Sequence, residues 1–315
     1  MTTAAIEAHG LVKRYGTLTA VAGIDLQVDQ GAIFALLGPN GAGKTTTINM
    51  LTTLIAPTEG SARVAGFDVV RESDRVRASI GVTFQDIVLD NDLTGRQVLD
   101  IHGRLYRQST EVRRKRIAEL VDLVQLGDAI DRITKTYSGG MKRRLELARG
   151  LMTDPAILFL DEPTQGLDPQ NRVGIWSYLR ELNRERGLTL LLTTHYMDEA
   201  EALAHRVGIV DHGKLVAAGT PADLTAAMGA DMIRLRGQGD IAALAERVRG
   251  LAFVSRTEID AVANSLNIFV DHGPHRLLEV MNTVGGNGFQ IEDLGIARPS
   301  LGDVFLHYTG RALRD

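Results

Sequence analysis

Ala32-Ile33-Phe34-Ala35-Leu36-Leu37-Gly38-Pro39-Asn40-Gly41-Ala42-Gly43-Lys44-Thr45-Thr46 is the stretch that decides the fold. Six apolar residues run straight into a glycine-rich turn and then into Lys44-Thr45. A short, continuous apolar run reads as a strand buried on both faces. The spacing Gly38-x4-Gly43-Lys44-Thr45 is that of a phosphate-binding loop. Its glycines let successive backbone N–H groups curl inward, and the helix that follows adds its positive end. Lys44 then reaches the β- and γ-phosphates, and the Thr45 hydroxyl is placed for Mg2+.

Further along, Ile157-Leu158-Phe159-Leu160-Asp161-Glu162 supplies the acidic half of such a site. Four apolar residues bury a strand, and Asp161 emerges at its C-terminal end, where open α/β sheets bind ligands. Asp161 is expected to hold the metal and Glu162 to polarise an attacking water. More strands are expected at Ile80–Phe84, Leu188–Thr193 and Val207–Val210. From Asp92 to Gly150 the pattern turns helical, opened by the capping-box sequence Thr94-Gly95-Arg96-Gln97.

Between these halves lies Tyr137-Ser138-Gly139-Gly140-Met141. Ser138 reads as an N-cap, and Gly139-Gly140 as a bare turn opening a helix, which makes a second anion site. The order phosphate loop, glutamine, Ser-Gly-Gly, apolar-Asp-Glu, histidine resembles the ATP-binding subunit of an ABC transporter over roughly residues 6–220. The resemblance implies ATP with Mg2+, and a head-to-tail pair of identical chains in which Ser138 and Gly140 meet the γ-phosphate held by the other chain. It places Gly38, Asn40, Gly41, Gly43, Lys44, Thr45 and Thr46 around the phosphates and Tyr15 against the adenine. Thr45, Gln85 and Asp161 fall at the metal, Glu162 and His195 at the γ-phosphate with Lys44 and Gln85, and Asp168 in the loop that crosses to the partner. Tyr137 stands where leucine is commoner and Met141 where glutamine is, so changed packing is expected there.

The fold class expected is α/β: a P-loop NTPase core with a mostly parallel sheet and a helical subdomain at about 92–150, followed by a small α+β unit. Residues 1–221 form the nucleotide-binding part and 222–315 an accessory part. In the latter the order strand, helix, strand, strand, helix, strand suggests a ferredoxin-like unit. Its ending, Arg298 to Arg311, resembles the tails of ATPases serving drug and antibiotic exporters of the daunorubicin-resistance type.

Composition bounds the rest. The 315 residues are 44% hydrophobic and 23% charged, enough for full cores. A net charge of −4 gives no field to draw in nucleic acid, and the absence of cysteine removes disulfides and thiolate chemistry. The N-terminus lacks a signal-peptide pattern, and no apolar run approaches the ~18 residues of a membrane span. If the chain works at a membrane, another chain must supply the spans. The resemblance implies that this partner is an integral membrane permease, with this chain cytoplasmic on the membrane's inner face. The basic runs Arg113–Arg116 and Lys142–Arg144 read first as solvated helix faces, or else as contacts with the permease or with anionic lipid headgroups. The competing reading is a soluble ABC-type ATPase acting on nucleic acid or ribosomes. The span from Lys44 to Ser138 carries no extended heptads and the chain has one cassette, which weighs against it.

Overall fold

The computed structural model describes residues 4–226, 231–260, 264–284, 289–297 and 299–309. Met1–Thr3, and Arg298, Gly310 and Arg311 of the tail, lie outside them. The chain forms two units that part between Thr220 and Pro221.

The first unit begins β1 (Ala4–Tyr15), β2 (Leu18–Asp29), β3 (Ile33–Leu37), α1 (Lys44–Leu51), β4 (Glu59–Val64), β5 (Phe67–Asp68), α2 (Ser73–Ser79) and β6 (Ile80–Thr83). It continues with α3 (Gly95–Leu105), α4 (Thr110–Leu123), α5 (Gly139–Gly150), β7 (Ile157–Asp161) and α6 (Pro169–Arg186). It closes with β8 (Thr189–Thr194), α7 (Met197–Leu203), β9 (Arg206–Asp211) and β10 (Lys214–Gly219). A six-stranded sheet of order β10-β9-β3-β8-β7-β6 is parallel except for its β9–β10 edge. Every residue of β3, β7 and β8 is buried, as strands covered on both faces require.

A second sheet, absent from the sequence reading, is antiparallel with order β2-β1-β4-β5. Its strands bury Ile6, Ala8 and Leu11 from β1 and Val21, Ile24, Leu26 and Val28 from β2. Those spacings do not keep a strict period of two. Register shifts between Ala8 and Leu11, with Gly10 at φ +55° and Gly23 at φ +91°, change the phase mid-strand. The two sheets share one core, in which Ile6, Ile24 and Leu26 belong to the same cluster as Phe34, Ile48, Leu51 and Phe159. Burying each such side chain stabilises the unit by roughly 1.5–3 kcal/mol.

The helices α3, α4 and α5 form the inserted layer, with α3 packed on both others. Thr94 caps α3 with the reciprocal bonds of a capping box: its hydroxyl accepts from the Gln97 N–H, and the Gln97 carboxamide accepts from the Thr94 N–H at 2.8 Å. Tyr137 is buried before α5, where its hydroxyl donates to the Ala129 carbonyl at 2.6 Å. Burial pushes its phenol pKa up.

The second unit holds α8 (Pro221–Ala226), β11 (Asp231–Gln238), α9 (Ile241–Arg249), β12 (Val254–Asp260), β13 (Ser265–Val270), α10 (Gly273–Val284), β14 (Gln290–Ala297) and α11 (Leu301–Thr309). Its sheet is antiparallel, of order β12-β13-β11-β14. It has its own core, with Ile233, Leu235, Leu244, Val248, Ile268 and Val280 fully buried.

Candidate functional site

Parallel register builds the site. In the β7–β8 pair Asp161 lies beside Thr193, and in the β3–β8 pair Leu37 lies beside Thr194. The three strands therefore end level, and the residues that follow them meet. Gly38 continues β3 by donating its N–H to the Thr194 carbonyl at 3.1 Å. A Cβ on Gly38 would sit 2.3 Å from the Val210 carbonyl oxygen, so the loop leaves the sheet along a path closed to other residues. Gly43, at φ +102°, opens α1 and has the Ala20 carbonyl oxygen 2.5 Å from where a Cβ would be. The first N–H groups of α1 lack partners within the helix, as at any helix start, and here they follow the loop.

Lys44 is 4% exposed. Its ammonium donates to the Gly38 carbonyl at 2.7 Å and the Pro39 carbonyl at 3.1 Å, and lies 3.2 Å from Glu162 Oε1. The other oxygen of Glu162 is 2.5 Å from His195 Nδ1. Glu162 thus stands between a lysine and a histidine, with its own N–H donating to the Thr193 hydroxyl at 3.0 Å. Behind His195, the Tyr196 ring lies 4.0 Å away and Arg172 stacks on that ring at 3.8 Å.

Asp161 Oδ1 accepts from the Thr45 hydroxyl at 3.1 Å and the Thr193 hydroxyl at 2.5 Å. Burial pushes the Asp161 pKa up, opposed by those two hydroxyls and by Lys44. Among the described residues no group of three or more His, Cys, Asp or Glu could hold a metal. Thr45 and Asp161 offer two adjacent hard oxygens, a set that suits Mg2+, which keeps waters and takes phosphate oxygens for its remaining positions.

Lys44, Thr45, Asp161, Glu162 and His195 form one bonded cluster, which the Gly38 carbonyl joins through Lys44, while several other sequence-derived residues make no bond to it. Asn40 and Gly41 are exposed on the loop, and Thr46 is half-buried in the first turn of α1. Gln85 is exposed at the bend after β6. Tyr15 ends β1, 47% exposed, with Lys13 Nζ 5.2 Å from its ring centre. Ser138 caps α5, accepting from the Met141 N–H at 3.3 Å. Asp168 caps α6, and its carboxylate accepts from both the N–H and the side-chain amide of Asn171. Gly140 touches that same Asn171: a Cβ there would lie 2.6 Å from its Oδ1.

Sequence reasoning missed Thr193, Arg143 and Glu199. Buried Glu199 accepts from the Thr164 hydroxyl at 2.7 Å and the Trp176 indole N–H at 3.0 Å, bracing α7 against α6. Nothing in its local pattern marks it out. The basic runs are only in part the solvated faces expected: Arg114 and Lys115 are exposed, whereas other members turn inward. Arg113 is buried and bonded to Asp100 at 2.7 Å, Arg116 donates to the Leu151 carbonyl, and Arg143 is only 2% exposed.

A sequence profile described as "ABC transporter" matches residues 21–165. The daunorubicin/doxorubicin resistance ATP-binding protein of Streptomyces peucetius is 43% identical to this chain, over 99% of it and 94% of that protein. The chain belongs to the ABC transporter ATP-binding family. Other members of that family resemble it along their whole length. The Nod factor export ATP-binding protein I of Paraburkholderia xenovorans is 42% identical over 100% of both chains, and the linearmycin resistance ATP-binding protein of Bacillus subtilis is 36% identical over 98% and 100%. Among solved ABC structures, a dimeric cassette in a post-hydrolysis state with ADP and Pi superposes with TM-score 0.62 at 27% identity, covering 68% of this chain and 98% of that one. The cbiO1 component of the cbiONQ transporter from Clostridium perfringens gives TM-score 0.66 at 27% identity, over 71% and 91%. The fold is thus that of an ABC ATPase cassette, and the chain is an ATP-binding, ATP-hydrolysing subunit of the ABC type.

Between the parallel sheet and the helical layer lies a cleft of about 240 Å³, lined by Leu54, Phe84, His102, Tyr106 and Arg149 among others. His102 is pushed down to about 4, first by burial and then by the charge of Arg149. Its folded-state pKa lies below its unfolded one, so the unfolded chain takes up the proton first. Stability is full above about pH 6.5 and falls as the pH drops toward 4. His102→Gln is expected to flatten that acid arm by on the order of 1 kcal/mol between pH 7 and pH 5. Urea midpoints at the two pH values measure it; the same decline in wild type and variant would contradict it.

Proposed function

We propose that this chain is the energy-supplying subunit of an exporter for a drug, antibiotic or similar amphipathic compound, peripheral on the cytoplasmic face of the membrane and bound to a separate membrane permease. The Glu162 carboxylate held between Lys44 and His195, beside the Thr45–Asp161 oxygen pair, carries the ATPase half of this reading. The resistance and export relatives carry the other half and weigh against work on nucleic acid or ribosomes. No helix among the described residues is long and apolar enough to cross a membrane, so spans would come from another chain. The cleft beside Gln85 is the natural seat for a permease helix, since Leu54, Phe84, Leu105 and Tyr106 leave apolar surface exposed around it.

At the ATP site each residue has a distinct task. The loop from Gly38 to Gly43, the α1 N-terminus and Lys44 bind the phosphates, and Tyr15 offers its ring to the adenine. Thr45 and Asp161 would hold Mg2+, joined by Gln85 as the family resemblance implies, and the ion would supply charge neutralisation at the phosphates. A γ-phosphate entering the loop competes for Lys44 and so frees Glu162 to accept the proton of the attacking water, while His195 steadies Glu162 and the phosphate. Ser138, Gly140 and Asp168, remote from this cluster within one chain, act on a second copy.

Membrane retention tests the assignment. Made together with a six-span permease, the chain is expected to sediment with membranes and to raise resistance of a sensitive host to an anthracycline-type drug. Recovery wholly in the soluble fraction, with no resistance, would overturn it.

A further inference from the structure

Arg143 lies in the middle of a basic run, yet its guanidinium faces inward. Nε donates to the Pro163 carbonyl at 2.6 Å, Nη1 to the Phe84 carbonyl at 2.7 Å, and Nη2 to the carbonyls of Asp161 and Glu162, each at 3.0 Å. One side chain of α5 thus binds four main-chain oxygens on two separate loops. One loop carries the Asp161–Glu162 pair, and the other leads into Gln85. A lysine has a single nitrogen and cannot span that set; the planar fork of arginine can.

The backbone at Glu162 explains why such a clamp is needed. Glu162 has φ +51°, a left-handed conformation unfavourable for a side-chain-bearing residue, and it persists only where the surroundings enforce it. Both of its backbone polar groups are held. The N–H donates to the Thr193 hydroxyl, and the carbonyl accepts from Arg143. That conformation is what sends the carboxylate to Lys44 and His195.

We propose that Arg143 is a positioning residue for ATP hydrolysis: its guanidinium fixes the main chain at Asp161–Pro163 and thereby aims the Glu162 carboxylate. The proposal rests on Glu162 being the general base. Arg143 sits on the helix that Ser138 caps. It therefore ties the segment offered to a partner's phosphate to the chain's own catalytic carboxylate.

Arg143→Lys and Arg143→Met are made in the full chain, alone and combined with Glu162→Gln. Steady-state and single-turnover hydrolysis are measured beside the dissociation constant of a fluorescent ATP analogue. Both single variants are expected to lose about 10–100-fold in kcat, the size of effect that a small misplacement of a reacting group produces. Nucleotide affinity is expected to stay within about twofold. In the Glu162→Gln background Arg143→Lys is expected to remove nothing further, because the two residues act as one unit. A kcat within twofold of wild type would overturn the proposal. So would an equal fractional loss in both backgrounds, or loss of nucleotide binding together with hydrolysis in both Arg143 variants. If Glu162→Gln alone keeps wild-type turnover, the general-base reading fails instead, which is a separate outcome.

Discussion

Glu162→Gln is expected to lower ATP hydrolysis by about 10²–10⁴-fold, the range that removal of a positioned general base produces. Glutamine keeps the size of the side chain and leaves the backbone bonds to Thr193 and Arg143 in place. It removes the negative charge that lies 3.2 Å from Lys44 and 2.5 Å from His195. A neutral carboxamide cannot take the proton of a water. ATP binding is expected to survive, because Lys44, Thr45 and the loop amides are untouched and a bound phosphate supplies the charge that Lys44 then lacks. Single-turnover hydrolysis set against the affinity for an ATP analogue separates the two effects. Wild-type turnover would remove Glu162 from its role.

Ser138→Arg is expected to abolish hydrolysis to a similar degree while the isolated chain still binds ATP. Ser138 is exposed at the N-terminus of α5, and its contacts within the chain are those of a helix cap. Losing the cap costs about 1 kcal/mol, and Ser138→Ala measures that part alone. The added bulk and positive charge of arginine instead obstruct the surface that would receive the partner's phosphate. Lost ATP binding by the Ser138→Arg monomer would contradict a segment that works on another chain.

What could be read from sequence follows physical rules. The strand before Lys44 was legible because a strand buried on both faces needs an unbroken apolar run, and Ile33–Leu37 is one. The same held for Ile157–Asp161 and for the Thr94–Gln97 capping box, a purely local device. The antiparallel sheet was not legible, because bulges at Gly10 and Gly23 break the alternation on which strand recognition depends. Thr193 became part of the site only through its register with Asp161, a relation between strands far apart in sequence. Arg143 was hidden among Lys142 and Arg144. A run of charges normally faces water, and nothing local says that one of the three points inward to four carbonyls.

The arrangement also gives two segments of one chain a physical link across the cassette. Asn171 bonds Asp168 and packs on Gly140, so the caps of α5 and α6 touch.

Sedimentation velocity of the Glu162→Gln chain, run in parallel with Mg-ATP and with Mg-ADP, tests most directly whether two copies close on ATP. A dimer with ATP and a monomer with ADP is the expected result, with the dimer lost on adding Ser138→Arg. A monomer under both nucleotides, or a dimer indifferent to nucleotide and to Ser138, would contradict it.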